Sequence, residues 1–335
     1  MKLLLLLGIG LLGLAAATAQ AKPLVIAHRG ASGYLPEHTL EAAAYAHALG
    51  SDYVEQDVVM AKDGTLVVLH DIHLETTTDV AARFPDRKRA DGRFYALDFS
   101  WDELKSLRVT ERFNPRTGAV VFGQRFPGQS GAFRLCTLEE QIVMLQGLNR
   151  ATRRSIGIYV EFKDPAFHAK EGRDLGAALL AVLARHGYDD AEDRVFVQCF
   201  DPEALERLRT QHGTRLKLVQ LLGDNSWGES TADYTAMLTP AGLKRIATYA
   251  QGIGPHLGQV FAGGNAGGPP TQTTLVKDAH AAGLIVHPYT FRADALPAGV
   301  PDLATLLDLF IRGAGIDGFF IDQPDHGVRA VANLP

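Results

Sequence analysis

The chain has 335 residues, of which 46% are hydrophobic and 21% are charged, and its formal net charge is −5 at pH 7. A net negative charge argues against a nucleic-acid-binding surface and favours small solutes as partners. An ordinary composition over this length allows one large core, and α/β barrels of this length commonly form a single domain.

The first 21 residues have the features of a secretory signal peptide. Lys2 gives a positive start, residues 3–14 are almost all apolar, and the small residues that follow allow cleavage after Ala19 or Ala21. The apolar run is short for a membrane-spanning helix. We therefore expect an exported protein with no stable membrane anchor, whose mature part, residues 22–335, forms one domain.

The mature chain begins with a predicted strand, residues 24–27, that ends at His28. A helix is expected from residue 37 to about residue 49, because the segment is rich in alanine and Gly50 is a typical C-terminal stop. Short strands that finish in ionisable side chains are typical of chemistry at one rim of a sheet or barrel.

The next two strands, 53–60 and 65–70, are expected to form an antiparallel hairpin. The Asp-Gly pair between them predicts a type I′ turn, and so short a connection cannot make a parallel crossover. Glu55 and Asp57 then share one face, with His70 opposite one of them. Two carboxylates suit a hard cation such as Ca²⁺ or Mg²⁺, and a nearby histidine suits proton transfer.

Each of these features also has a structural interpretation. A His-Arg pair at a strand end is more often structural than catalytic, and alternating acids on a strand usually form a solvated face. What favours a functional site is their convergence within one compact supersecondary unit.

Short motifs follow one another along the chain: HRG at 28–30, PEHT at 36–39, ExD at 55–57, KDG at 62–64, HD at 70–71, EFK at 161–163, QCF at 198–200, VHPYT at 286–290 and GFFIDQPD at 318–325. Together they resemble the signature of the glycerophosphodiester phosphodiesterase family, and most closely its periplasmic bacterial type. The resemblance covers nearly all of the mature chain. It implies a periplasmic enzyme acting on a small molecule, and a homodimer would fit it.

Residues 72 to about 135 break the alternation of strands and helices. They are rich in Arg, Asp, Gly and Pro, and they follow directly after His70 and Asp71. We expect an insertion with its own small structure near the active-site rim.

Regular alternation resumes at Thr137, which has capping-box spacing to Glu140 and opens a helix. Further strands are predicted at 156–163, 195–199, 216–222, 253–255, 284–288 and 318–322, and further helices at 170–186, 202–212, 240–251, 271–282 and 303–313. Without the return arm of the hairpin, about eight forward strands remain. That number predicts an α/β fold of the TIM (β/α)₈ barrel type, with the insertion following the strand that ends at His70.

Barrel geometry brings the strand ends to one rim, where we expect the site. The candidates are His28 and His70 for acid–base catalysis, Arg29, Lys163 and Glu37 for substrate binding, and Glu55, Asp57 and Glu161 as ligands of one divalent cation. Ca²⁺ is the favoured ion and Mg²⁺ the alternative. Glu37 is expected to support the site by bonding Arg29 or a histidine.

The resemblance implies metal-dependent hydrolysis of glycerophosphodiesters to sn-glycerol 3-phosphate and an alcohol. It further implies attack by the free glycerol hydroxyl through a cyclic phosphate, although direct attack by water stays open. We take His28 as the first base and His70 as the first acid. The alternatives are a phospholipase D-like or lysophospholipid-cleaving enzyme, and a binding protein without chemistry, against which the presence of both histidines argues.

Cys136 and Cys199 are expected to be free thiols, although export would permit a disulfide. No Cys/His cluster has zinc-ligand spacing. His287 is expected to be structural, and we assign no role to His38.

Overall fold

The computed structural model describes residues 22–128, 130–263 and 270–334. The predicted signal peptide lies outside these residues. Among the helices of the described ranges, none combines the length and the apolar character needed to cross a membrane.

The strands of the described residues are β1 (Leu24–Ala27), β2 (Tyr53–Met60), β3 (Leu66–Val68), β4 (Gly157–Phe162), β5 (Val195–Cys199), β6 (Lys217–Leu222), β7 (Gly252–Pro255), β8 (Phe261–Ala262), β9 (Thr271–Gln272), β10 (Ile285–Val286) and β11 (Gly318–Ile321). Parallel pairing joins eight of them in the order β10-β7-β6-β5-β4-β2-β1-β11. Backbone hydrogen bonds link the two edge strands, β10 and β11. Asp317 N donates to Val286 O and Phe320 N donates to Pro288 O, both at 3.0 Å. The predicted eight-stranded barrel is confirmed.

The α-helices are Leu40–Leu49, Val80–Arg83, Trp101–Leu104, Leu138–Thr152, Pro165–Lys170, Leu175–Arg185, Pro202–Thr210, Tyr234–Met237, Pro240–Ile246, Leu257–Val260, Leu275–Ala281, Leu303–Asp308 and Pro324–Ala332. The helix predicted over 170–186 is present, but it begins later than predicted, at Leu175, and a separate helix precedes it. Gly172, with φ +73°, separates two helices there, and the side chain of Asp174 caps the second.

Two predicted helix signals are present in the structure. The helix predicted to begin at residue 37 begins instead at Leu40, because Thr39 caps it, and it ends as predicted at Gly50, which lies in the left-handed region. Thr137 and Glu140 form a capping box at the start of the helix Leu138–Thr152.

The hairpin of β2 and β3 forms as predicted, but its register is different. Ala61 bonds to Thr65 across a turn in which Gly64 has φ +89°, so the turn holds three residues instead of two. Pairing then places Leu69, whose amide bonds the Asp57 carbonyl at 2.9 Å, opposite Asp57. The prediction that His70 lies opposite an acid is wrong, because β3 ends at Val68 and His70 follows it in a loop.

The insertion, residues 72–135, packs against this hairpin, on the face of β2 that also carries Glu55 and Asp57. Its buried side chains, among them Leu74, Phe99 and Leu107, form a cluster with Val59 and Val67 that is separate from the main core of the barrel. The insertion is therefore anchored to the strand pair that carries Glu55, Asp57 and His70. Elsewhere in the core, Cys136 and Cys199 are buried free thiols, as predicted.

Candidate active site

The three predicted metal ligands lie together at the carboxyl end of the barrel. Glu55 and Asp57 alternate along β2, so they point to the same face, and Asp57 is in register with Glu161 on β4. All three are buried, and one carboxylate oxygen from each lies within 4.8 Å of the others. The barrel therefore places three negative groups at one point.

The electrostatics of this cluster fit a divalent cation. Burial and the neighbouring charge of Asp57 raise the pKa of Glu55, and burial raises the pKa of Glu161 to about 8. Oδ1 of Asp57 is buried and has no hydrogen-bond partner among the described residues. Three crowded oxygen donors, one with an unused lone pair, are the ligands that Ca²⁺ and Mg²⁺ prefer.

His28 follows β1 and is held by an aspartate from the neighbouring strand. Its Nδ1 lies 2.6 Å from Oδ1 of Asp322, which follows β11. Although burial opposes ionisation, Arg292 and His28 hold the pKa of Asp322 well below its usual range. Burial and the charge of Arg29 lower the pKa of His28 to about 4. A neutral imidazole beside an ionised carboxylate donates its Nδ1 hydrogen, so Nε2 keeps a lone pair.

His70 repeats this arrangement on the other side of the cavity. Its Nδ1 lies 2.5 Å from Oδ1 of Asp71, and burial with the charges of Arg29 and Lys163 lowers its pKa to about 3. Asp71 accepts a further bond from Thr76 Oγ1 at 2.7 Å. Both histidines thus present Nε2 as the free ring nitrogen.

Arg29 connects the cluster of three carboxylates to Glu37, which was predicted to bind substrate. Its backbone amide donates to Oε2 of Glu55 at 2.6 Å, and its Nη1 donates to Oε1 of Glu37 at 3.1 Å. Its Nε lies 3.7 Å from Oδ2 of Asp57. The predicted bond between Glu37 and Arg29 is present in the structure.

The tight turn after β1 makes this position possible. Arg29 has φ +56°, and Gly30 has φ +80°. A Cβ on Gly30 would lie 2.8 Å from the backbone carbon of Ala42. Only glycine allows so close an approach to the helix Leu40–Leu49.

Lys163 lies just after β4 and is buried beside the cluster of three carboxylates. Its Nζ donates to Oε1 of Glu161 at 2.6 Å, and Oε2 of Glu229 lies 4.0 Å away. Despite burial, the charges of Glu161 and Asp57 raise the pKa of Lys163. The lysine therefore supplies a permanent positive charge at the rim.

The histidines and the carboxylates face one cavity of about 270 Å³. An apolar part of its wall is formed by Phe200, Leu221, Trp227, Tyr289 and Phe320, and polar side chains such as Gln198, Glu229 and Arg292 also line it. A site that combines charged groups with rings suits a small anionic ester with a carbon skeleton.

Sequence reasoning missed several residues of the site. His38, to which it assigned no role, bonds Oδ2 of Asp57 through Nε2 at 2.7 Å. Asp322 was visible only as a strand-end residue, and Asp71 only as the neighbour of His70. Two arginines of the insertion, Arg112 and Arg125, had no signal in the sequence. His287 is buried inside the barrel against Tyr159 and Phe196, which agrees with a structural role.

Comparison with known proteins gives a consistent result. The model of the glycerophosphoryl diester phosphodiesterase family matches residues 28–326. The chain is 42% identical to the glycerophosphodiester phosphodiesterase of Haemophilus influenzae, over 93% of this chain and 90% of that one. It is 36% identical to that of Treponema pallidum, over 91% of each chain.

Solved structures show the same fold. A phosphodiesterase from Oleispira antarctica, solved in complex with the product sn-glycerol-3-phosphate, matches with a TM-score of 0.63 and 22% identity, over 93% of this chain and 97% of that one. At this identity the likeness establishes the barrel architecture.

Proposed function

The chain belongs to the glycerophosphoryl diester phosphodiesterase family and is a glycerophosphodiester phosphodiesterase, and from this we propose how it works. It hydrolyses deacylated phospholipid diesters to sn-glycerol 3-phosphate and a free alcohol, using a divalent cation and two histidines. The observation that carries the proposal is that two aspartate-bound histidines face the same cavity as a cluster of three carboxylates.

Glu55, Asp57 and Glu161 would hold the cation, with Ca²⁺ favoured over Mg²⁺. Without a cation, these carboxylates would repel a phosphodiester anion. When bound, the ion supplies charge neutralisation and polarises a phosphoryl oxygen. His38 fixes Asp57 by its bond to Oδ2, which leaves Oδ1 directed away from that contact.

His28 and His70 divide the proton transfers. In the first step His28 accepts the proton of the attacking hydroxyl at Nε2. His70 takes up a proton from solvent at Nε2 when the anionic substrate binds, and donates that proton to the leaving alkoxide. The bound phosphodiester anion favours protonation of a nearby imidazole and so raises a pKa that burial has lowered. The roles exchange if water opens a cyclic phosphate in a second step.

Arg29 and Lys163 supply fixed positive charge to the phosphate. The salt bridge to Glu37 orients the Arg29 guanidinium, and burial against Glu161 restricts the Lys163 ammonium. Bound to carboxylates already, both side chains pay little additional ordering entropy when the substrate enters. The apolar wall would cover the carbon skeleton of the ester.

The proposal includes export to the periplasm through cleavage after Ala19 or Ala21. Support comes from the positive, apolar and small-residue regions of residues 1–21. N-terminal sequencing of protein recovered from a periplasmic extract tests this part. A mature chain that still begins at residue 1 would contradict it.

The function is tested by measuring sn-glycerol 3-phosphate released from glycerophosphocholine. The assay compares the wild type with His28→Ala, each with Ca²⁺, with Mg²⁺ and after chelation. We expect release that requires the cation and is lost in the variant. If folded wild type releases no product with either ion, the assigned substrate is wrong.

A further inference from the structure

We propose that Arg112 and Arg125, both in the insertion 72–135, are positioning residues for the two proposed catalytic histidines. Arg112 acts on His70 through Asp71, and Arg125 acts on His28 through Asp322. The insertion is then a working part of the catalytic centre. This inference rests on the proposed function.

The first chain of hydrogen bonds runs from Arg112 through Asp71 to His70. Nη1 of Arg112 donates to Oδ2 of Asp71 at 2.7 Å, while Oδ1 of the same carboxylate holds Nδ1 of the histidine. The guanidinium also binds Glu37 at 2.6 Å and 3.1 Å. Because Glu37 in turn holds Arg29, one insertion side chain braces both a histidine and a phosphate-binding arginine.

The second chain of hydrogen bonds runs from Arg125 through Asp322 to His28. Nη2 of Arg125 donates to Oδ2 of Asp322 at 2.6 Å, and Nε of Arg292 donates to the same oxygen at 2.8 Å. The other side of Arg125 pairs with Asp294 at 2.8 Å and 3.0 Å. The Arg125 side chain is only 4% exposed, so its charge acts with little screening by water.

Each arginine has a chemical task. A buried aspartate tends to take up a proton, and a guanidinium on its second oxygen keeps it ionised. An ionised carboxylate accepts the Nδ1 hydrogen of the histidine, which leaves Nε2 for the substrate: in His28 to accept a proton, and in His70, once it is protonated, to donate one. Neither Arg112 nor Arg125 lines the cavity, so each must act through its aspartate.

The competing explanation is that these arginines only hold the insertion in place. Arg89 separates the two explanations, since it lies in the same insertion and pairs with Asp98 at 2.7 Å and Glu171 at 2.7 Å. It bonds neither Asp71 nor Asp322. Arg89→Met is therefore a matched control for the loss of an ion-paired insertion arginine.

The experiment measures kcat and KM for glycerophosphocholine in Arg125→Met, Arg112→Met and Arg89→Met. We expect kcat to fall about 10- to 100-fold in the first two, the usual effect of losing an outer hydrogen-bond partner. KM should be nearly unchanged in Arg125→Met, because Arg125 does not line the cavity. Arg89→Met should keep the wild-type kcat.

Two comparisons test whether Arg125 acts through Asp322. The double variant Arg125→Met/Asp322→Asn should be no slower than Asp322→Asn alone, because residues acting in one chain are not additive. Asp294→Asn, which removes the charge of a second partner of Arg125 but leaves the bond between Arg125 and Asp322, should lower kcat less than Arg125→Met.

Proton NMR of the histidine Nδ1 hydrogens gives a signature that a purely structural role would not produce. Each signal is assigned by its loss in His28→Ala or His70→Ala. Arg125→Met should shift only the signal of His28, and Arg112→Met only that of His70. If a methionine variant does not fold, the lysine variants Arg125→Lys and Arg112→Lys are measured instead, and a partial fall in kcat with the same selective shift is expected.

Wild-type kcat in folded Arg125 and Arg112 variants, or an equal fall in Arg89→Met, would overturn the inference. So would histidine signals that do not move. An inactive wild type would instead show that the proposed function is wrong, so the two failures are distinguishable.

Discussion

The barrel rim and the insertion 72–135 contribute to the same active site in different ways. The barrel supplies the groups that line the cavity: the acids of β2 and β4, and His28 after β1. The insertion supplies Arg112 and Arg125, which bind the aspartates behind the histidines. The groups that line the cavity therefore lie on the regular scaffold, whereas two of the groups that hold the histidine-bound aspartates lie on an irregular segment.

The largest expected effect lies on the barrel side. Asp57→Asn removes a charge from the carboxylate cluster, so Ca²⁺ binding should weaken and kcat/KM should fall about 10³-fold. Calorimetric titration with Ca²⁺ and the product-release assay measure both quantities. Asp63→Asn, on the exposed turn of the same hairpin, should leave both unchanged. Equal Ca²⁺ affinity in wild type and Asp57→Asn would contradict the proposed Ca²⁺ site at the barrel rim.

Acid sensitivity should arise in part from the barrel interior, in addition to the buried histidines of the rim. Burial lowers the pKa of His287 to about 4, below its ordinary value of 6.5. Between those values the unfolded chain takes up a proton that the folded chain does not, so stability falls as the pH drops from 6.5 to 4. Integrated over that interval, the loss is at most about 3 kcal/mol.

The measurement is urea unfolding of the wild type and of His287→Asn between pH 7 and pH 4. The variant should show a shallower dependence of unfolding free energy on pH. His212→Asn, at an exposed position, should follow the wild type. Parallel curves for wild type and His287→Asn would mean that this histidine does not contribute.

A smaller effect separates the two regions by backbone strain. Gly30→Ala places a Cβ 2.8 Å from the backbone of Ala42 at φ +80°, and should lower the unfolding free energy by about 2 kcal/mol. Gly92→Ala in the insertion has φ +84° but meets nothing within 4 Å, so only the strain of about 1 kcal/mol applies. Chemical denaturation measures both. Equal losses of unfolding free energy in the two variants would show that the close approach of Gly30 to Ala42 adds nothing to the cost of the backbone strain.

The sequence predicts the barrel side of this comparison well. Period-two alternation places Glu55 and Asp57 on one face, and the shared direction of parallel strands brings Glu161 to them. These placements depend only on local geometry and on the barrel rule.

The remaining contacts depend on tertiary structure that no local pattern encodes. The pairing of His28 with Asp322 requires that β1 and β11 be neighbours, although 294 residues separate the two side chains. Arg112 and Arg125 come from an insertion with little regular structure, so no periodicity marks which of its arginines point inward. The hairpin register also escaped prediction, because a three-residue turn replaced the expected two-residue one.

The central claim is that His28 and His70 act as base and acid on a phosphodiester in one cavity. Its most direct test compares His28→Ala and His70→Ala on glycerophosphocholine and on the p-nitrophenyl ester of sn-glycerol 3-phosphate, whose leaving group needs no acid. We expect His70→Ala to be strongly impaired on the choline ester and largely restored on the p-nitrophenyl ester, and His28→Ala to be impaired on both. Wild-type rates on both esters in either variant would contradict the claim.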